Sequence, residues 1–333
     1  MRIVAAIMSA ILVLGAQTAI AESVGFQSLT MPASDGRSIP VDIWYPTSGE
    51  THLQPLGLFQ QNVAENGPVH GSKLALVVMS HGTGGSKDEH YDTALALASA
   101  GFVVAALEHT GDNYRDQSRA TDLGNRVLEL HMLIDFMLAK WNSRAALNPT
   151  EVGAFGFSAG GFTVLAAAGG KPDLSLIQQH CSMHPKFYDC TLSVKHPAST
   201  AAVSGTGAVQ GFAITPDPRI KALVVAAPAL GFTFARGLAE MKQPVQLWRA
   251  DDDRVLPAPE YADAVRTALP VPPEFHAVAN ADHFDFLAPC TTKLAKVAEN
   301  ICTSRPGFDR AVFHEAFDRA VVKFFESHLQ AQP

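Results

Sequence analysis

The chain has 333 residues, 47% of them apolar and 17% charged, with a formal net charge of −7. That apolar share fills the core of one large α/β domain and excludes a disordered chain. The acidic balance and the lack of a Lys/Arg cluster argue against nucleic acid as a partner.

The first stretch reads MRIVAAIMSAILVLGAQTAIAES. Arg2 precedes an uncharged apolar run over residues 3–14, and Ala19-Ile20-Ala21 follows as a small-x-small cleavage pattern. The run is too short to span a bilayer comfortably. Residues 1–21 are therefore predicted to be an export signal cut after Ala21, leaving 22–333 as a single domain in the periplasm or secreted. No cysteine follows the cut, so a lipid anchor is not suggested. No later stretch is long and apolar enough to span a membrane.

Apolar β-branched runs then alternate with helical patterns, the sign of a mostly parallel sheet covered by helices. Strands are predicted at 41–45, 74–80, 103–109, 152–157, 222–227, 245–248 and 274–278. Helices are predicted at 89–99, 122–138, 161–168, 259–268 and 310–329. In the second helix Leu123, Val127, Leu130, Ile134 and Leu138 recur at three- and four-residue spacing, a stripe for the sheet. Two stretches break the rhythm. Residues 47–72 read as a long surface loop. Residues 171–218 form a longer excursion, a lid or pocket wall. Its apolar residues Leu174, Leu176, Ile177, Phe187, Tyr188 and Phe212, with Phe232 and Phe234 after the next strand, are candidate pocket lining.

The four cysteines are Cys181, Cys190, Cys290 and Cys302. An even count in an oxidising compartment favours disulfides. Near-neighbour pairing, 181 with 190 and 290 with 302, closes the shortest loops, and two other connectivities are open. No C-x-x-C pair suggests zinc.

The chemistry centres on Gly156-Phe157-Ser158-Ala159-Gly160. G-x-S-x-G between a strand and a helix is a nucleophile elbow. The serine occupies a tight turn, and the flanking glycines lack the Cβ atoms that would strike its neighbours. Such a serine needs a base, and the base an orienting acid, in chain order Ser, Asp/Glu, His. LWRADDDRVLP follows a strand, and Asp253 is the acid chosen, with Asp251 and Asp252 as alternatives. His283, in the loop after the last predicted strand, is the base. An anion site completes the set. The amide of Ala159 is one donor, and the amide of Thr83, in MSHGTGGSK, is the second. That glycine loop lacks the frame of a phosphate-binding P-loop.

SHGTGGS, ALASAGFVVAALEHTGDN, GFSAGG, RADDDRVLP, DHFDFLAPC and GFDRAVFHEAF together resemble the bacterial dienelactone-hydrolase-like α/β-hydrolases related to platelet-activating factor acetylhydrolase. The likeness covers most of the chain after residue 21. Gly111-Asp112-Asn113 and the 286–290 stretch are its more particular pieces. The resemblance implies the α/β-hydrolase fold, no cofactor, a triad of Ser158, Asp253 and His283, and Thr83 and Ala159 as oxyanion donors; no metal is expected. True dienelactone hydrolases use cysteine as nucleophile, so the serine here argues against dienelactone as substrate. The expected activity is hydrolysis of small or lipid-like carboxylic esters, with lipase, phospholipid acetylhydrolase, polyester hydrolase, acyltransferase and a non-catalytic binding protein as alternatives.

Overall fold

The structure, a computed structural model, describes residues 23–34, 36–196 and 215–329. The predicted signal over 1–21, part of the excursion (197–214) and its Phe212 lie outside the described residues.

Strands β1 (Ser23–Pro32) and β2 (Ser38–Thr47) pair antiparallel along their whole length. A hairpin follows, β3 (His52–Leu56) and β4 (Phe59–Glu65), and β4 joins β1 in parallel. The core strands are β5 (Leu74–Ser80), β6 (Val103–Leu107), β7 (Leu147–Phe157), β8 (Ile220–Ala226), β9 (Val245–Ala250) and β10 (Glu274–Val278). These six run parallel to one another, and the whole sheet has the order β10-β9-β8-β7-β5-β6-β2-β1-β4-β3. The helices are α1 (Tyr91–Ser99), α2 (Leu123–Ala139), α3 (Ala159–Ala167), α4 (Leu176–Met183), α5 (Tyr188–Lys195), α6 (Ala262–Ala268), α7 (Thr292–Val297), α8 (Glu299–Cys302) and α9 (Arg310–Leu329).

Alternation along each strand builds two cores. On β5, Leu76 and Val78 face the layer that holds Leu130 and Ile134 of α2 and Phe162 and Leu165 of α3. Ala75, Val77 and Met79 face the layer that holds Leu97 of α1 and Phe317, Val321 and Phe325 of α9. Strands buried on both faces explain the continuous apolar runs. Each fully buried Leu or Phe contributes roughly 1.5–3 kcal/mol.

Residues 47–72 are not the predicted loop: they contain the β3–β4 hairpin. Gln60, Gln61 and Asn62 hide it, because β4 is partly solvent-facing. Gln61 is nevertheless buried, its Oε1 accepting from Trp44 Nε1 at 2.7 Å, which fastens the hairpin to β2. The described part of the 171–218 excursion folds as α4 and α5.

Helix α2 starts where predicted, with Asp122 accepting from the Asn125 amide at 3.1 Å as an N-cap. Register then aligns the carboxyl ends of the parallel strands. Ser80 lies beside Gly156, Phe157 beside Ala226, and Ala250 beside Val278. The loops leaving these ends meet on one edge, and β5 lies between β6 and β7, so the chain reverses direction of travel there. Ligands of open α/β sheets bind at such an edge.

Candidate active site

Ser158 stands between β7 and α3 with φ 54° and ψ −118°. A non-glycine residue in that region stores roughly 1–3 kcal/mol of strain. The turn is tight because two backbones press on it. A Cβ on Gly156 would lie 2.1 Å from Gly160 O, and one on Gly160 would lie 1.8 Å from Ser80 O. The Ser158 amide donates to Ala226 O at 2.9 Å, and its carbonyl accepts from Ala229 N at 2.9 Å. The elbow is thus clamped between β5 and β8.

His283 Nε2 lies 3.0 Å from Ser158 Oγ, and His283 Nδ1 lies 2.8 Å from Asp253 Oδ2. All three side chains are buried. Asp253 Oδ1 accepts from the amides of Val255 and Leu256 at 2.9 and 2.6 Å, so its second oxygen is fixed toward the imidazole. The other two aspartates point elsewhere. Asp251 pairs with Arg249 at 2.7 Å, and Asp252 faces Arg305 at 3.4 Å. His276 stacks on Trp248.

The turn carrying His283 is heavily anchored. Asp282 accepts from the His283 amide at 2.8 Å and pairs with Arg254. Burial works against the Asp282 carboxylate, but the Arg254 amide and guanidinium outweigh it and hold its carboxyl below the usual range. Asp285 is the hub. Its carboxylate takes the Asp282 amide at 2.8 Å, Ser304 Oγ at 2.5 Å and Arg310 Nη2 at 3.1 Å. Its carbonyl accepts from His314 Nε2 at 3.0 Å.

Beside the elbow lies the 81–85 loop. The Gly82 amide donates to Glu89 Oε1 at 2.7 Å, and the Gly84 amide donates to Asp112 Oδ1 at 2.9 Å. The Thr83 amide between them has no hydrogen-bond partner among the described residues. The Ala159 amide opens α3, where the first N–H groups have no acceptor within the helix. His81 accepts the His109 amide on Nε2 at 3.0 Å, so its Nδ1 carries the hydrogen donated to Gly82 O at 2.6 Å. Burial, then the charges of His109 and Arg126, pushes His81 well below the usual imidazole range; burial and Arg126 do the same to His109. Both stay neutral supports of the loop.

Thr83, Ser158 and Ala159 line a cavity of about 470 Å³. Its apolar wall includes Phe162, Leu174, Ile177, Tyr188, Leu192 and Leu256. Of the predicted lining, Leu174, Ile177 and Tyr188 are there. Leu176 is not among the lining residues; Phe187 and Phe232 instead pack with His180 and Tyr261, and Phe234 packs into the core against Phe162, the rings tilted. The cysteines pair as nearest neighbours. Cys181–Cys190 joins α4 to α5, and Cys290–Cys302 joins the segment after His283 to α8.

Among the described residues, two clusters have metal-ligand types within reach of one another. In one, Cys190 is already bridged to Cys181. In the other, His314 Nδ1 and Asp92 Oδ2 stand 2.7 Å apart, closer than the roughly 3 Å expected for two ligands at right angles on a cation with bonds near 2.1 Å. That cluster reads as an ion pair clasping α1 to α9.

Glu89, Arg126 and Asp285 are not among the sequence-predicted site residues, and Asp112 enters there only through a resemblance. One signal was present: Arg126 and Glu129 fall on the buried face of α2 alongside Val127 and Leu130.

A parallel sheet with a serine elbow, an imidazole and a carboxylate at one edge is the α/β-hydrolase fold, as expected. The comparisons with known proteins agree. A ferulic acid esterase from Streptomyces cinnamoneus superposes with a TM-score of 0.62 at 17% identity, over 93% of this chain and 91% of that one. The model of the family described as platelet-activating factor acetylhydrolase, isoform II, matches residues 47–123. That segment holds the 81–85 loop and Asp112 and stops short of Ser158. Over residues 47–123 this match agrees with the resemblance drawn from the sequence.

Proposed function

We propose that the protein is a serine carboxylic ester hydrolase acting through Ser158, His283 and Asp253. The observation that carries the reading is the continuous contact from Asp253 through His283 to Ser158 Oγ at the wall of an apolar cavity. Ser158 Oγ attacks the ester carbonyl as His283 Nε2 takes its proton. Asp253 holds Nδ1–H and stabilises the imidazolium. The Thr83 and Ala159 amides receive the tetrahedral oxyanion. Collapse expels the alcohol with the proton from His283. Water, deprotonated by the same imidazole, then cleaves the acyl-enzyme.

The substrate is an ester with an apolar acyl or alcohol group that fits the cavity. Among the described residues no Lys or Arg lines it, which favours an uncharged substrate. Residues 22–333 form one catalytic domain, and 171–218 supplies a wall or lid. Export is supported by the N-terminal sequence and by two disulfides, which persist in oxidising compartments.

The test is hydrolysis of p-nitrophenyl esters from acetate to palmitate, together with methyl ferulate, the latter because of the solved neighbour. Wild type should turn over with a chain-length optimum, and folded Ser158→Ala should be silent. Equal activity of the two proteins would remove Ser158 from the mechanism. N-terminal sequencing of the exported protein should begin at Glu22.

A further inference from the structure

We propose that Arg126 is a positioning residue that brackets the two halves of the oxyanion site, holding the Thr83 and Ala159 amides in one fixed relation. The proposal rests on the serine-esterase reading above.

Arg126 projects from α2 and is 1% exposed. It does not line the cavity, so it touches no substrate. Its guanidinium reaches three acceptors on three segments. Nη2 donates to His81 O, at the entry of the 81–85 loop. Nη1 donates to Asp112 Oδ2, and the other oxygen of Asp112 takes the Gly84 amide at 2.9 Å. Nε donates to Thr163 Oγ1 at 3.2 Å, and that hydroxyl in turn donates to Ala159 O at 2.8 Å. One planar fork therefore fixes the loop before and after Thr83 and the first turn of α3 at Ala159.

The chemistry gives this a purpose. A loop reading Gly82-Thr83-Gly84-Gly85 has little conformational preference of its own. Oxyanion donors work only if they are aimed before the charge forms, and a displacement of about 1 Å costs on the order of 10²-fold. Burying a guanidinium is expensive, and its partner shows the expense: burial pushes the Asp112 carboxyl up even with Arg126 against it. Lysine, with a compact head, cannot reproduce three divergent donors.

The experiment compares Arg126→Lys, Arg126→Met, Asp112→Asn and the double variant Arg126→Met/Asp112→Asn with wild type. It reads thermal melting, kcat and KM on a short p-nitrophenyl ester, and inhibition by a trifluoromethyl ketone, a mimic of the tetrahedral state. Each neutralising single variant leaves one charge buried alone and should melt lower. The double variant removes both charges and should regain stability. Its kcat should nonetheless stay about 30-fold or more below wild type, with KM within about threefold and ketone affinity reduced in parallel with kcat/KM. A purely structural role predicts the opposite, kcat returning with stability, and that result overturns the proposal. Should the double variant fail to fold, Arg126→Lys decides: it keeps the charge, and a wild-type kcat there also overturns it. Turnover surviving in Ser158→Ala would sink the esterase reading and the bracket with it. A silent Ser158→Ala beside a fully active Arg126→Lys sinks the bracket alone.

Discussion

Among the three consecutive aspartates, 251 to 253, one turn decides the division of labour. The amides of Val255 and Leu256 seize one oxygen of Asp253 and leave the other for His283, whereas Asp251 and Asp252 face arginines at the surface. Asp253→Asn should therefore lower kcat by about 10³–10⁴-fold, through loss of the correct imidazole tautomer. Asp251→Asn and Asp252→Asn should leave kcat unchanged. Steady-state kinetics of the three variants checks this, and a large loss in either of the latter would reassign the acid. The serine was legible in the sequence because its demands are local: two glycines and a strand-to-helix change lie within a few residues. The choice among the aspartates was not, because it depends on which carboxylate the following amides capture. Arg126 was still less legible, since a buried charge and a solvated one are spelled alike.

Helices α4 and α5 make one wall of the cavity, so substitutions there should retune length rather than chemistry. Ile177→Trp should move the chain-length optimum of p-nitrophenyl esters to shorter acyl groups and leave acetate turnover within about twofold, the mark of a pocket filled without touching the reacting atoms. An unchanged optimum would place the acyl chain elsewhere. At the opposite face α9 is fastened to α1 by charge. Asp318 accepts from Thr93 Oγ1 at 2.6 Å beside the Asp92–His314 pair, and burial first, then Asp92, pushes its carboxyl up to about 7. An acid whose folded value lies above its unfolded one binds more protons when folded. Its cost is absent near pH 4 and grows as pH rises toward 7. Asp318→Asn should thus melt with wild type at about pH 4 and above it at about pH 8; equal gaps at both would reject this account. Among the elements, the parallel strands and α9 were readable from apolar runs and periodicity. The β3–β4 hairpin was not, because partly solvated strands carry glutamine and asparagine. β1 lacks a long apolar run, and α4 and α5 are short and half polar.

At the scale of the whole molecule, the sheet and its two cores contain no cysteine, and both bridges lie on segments appended to them. One staples the cavity wall, the other the stretch beyond His283. Closing loops this short stabilises each segment by about 2–3 kcal/mol. Reduction with dithiothreitol should therefore leave far-ultraviolet dichroism nearly intact while turnover falls, because the segments that shape the site loosen before the sheet does. Simultaneous loss of both signals would mean that the bridges hold the fold as a unit. On that expectation turnover, and not the fold, is what answers to the surrounding redox poise: oxidation of four peripheral sulfurs switches the chain on, and their reduction switches it off.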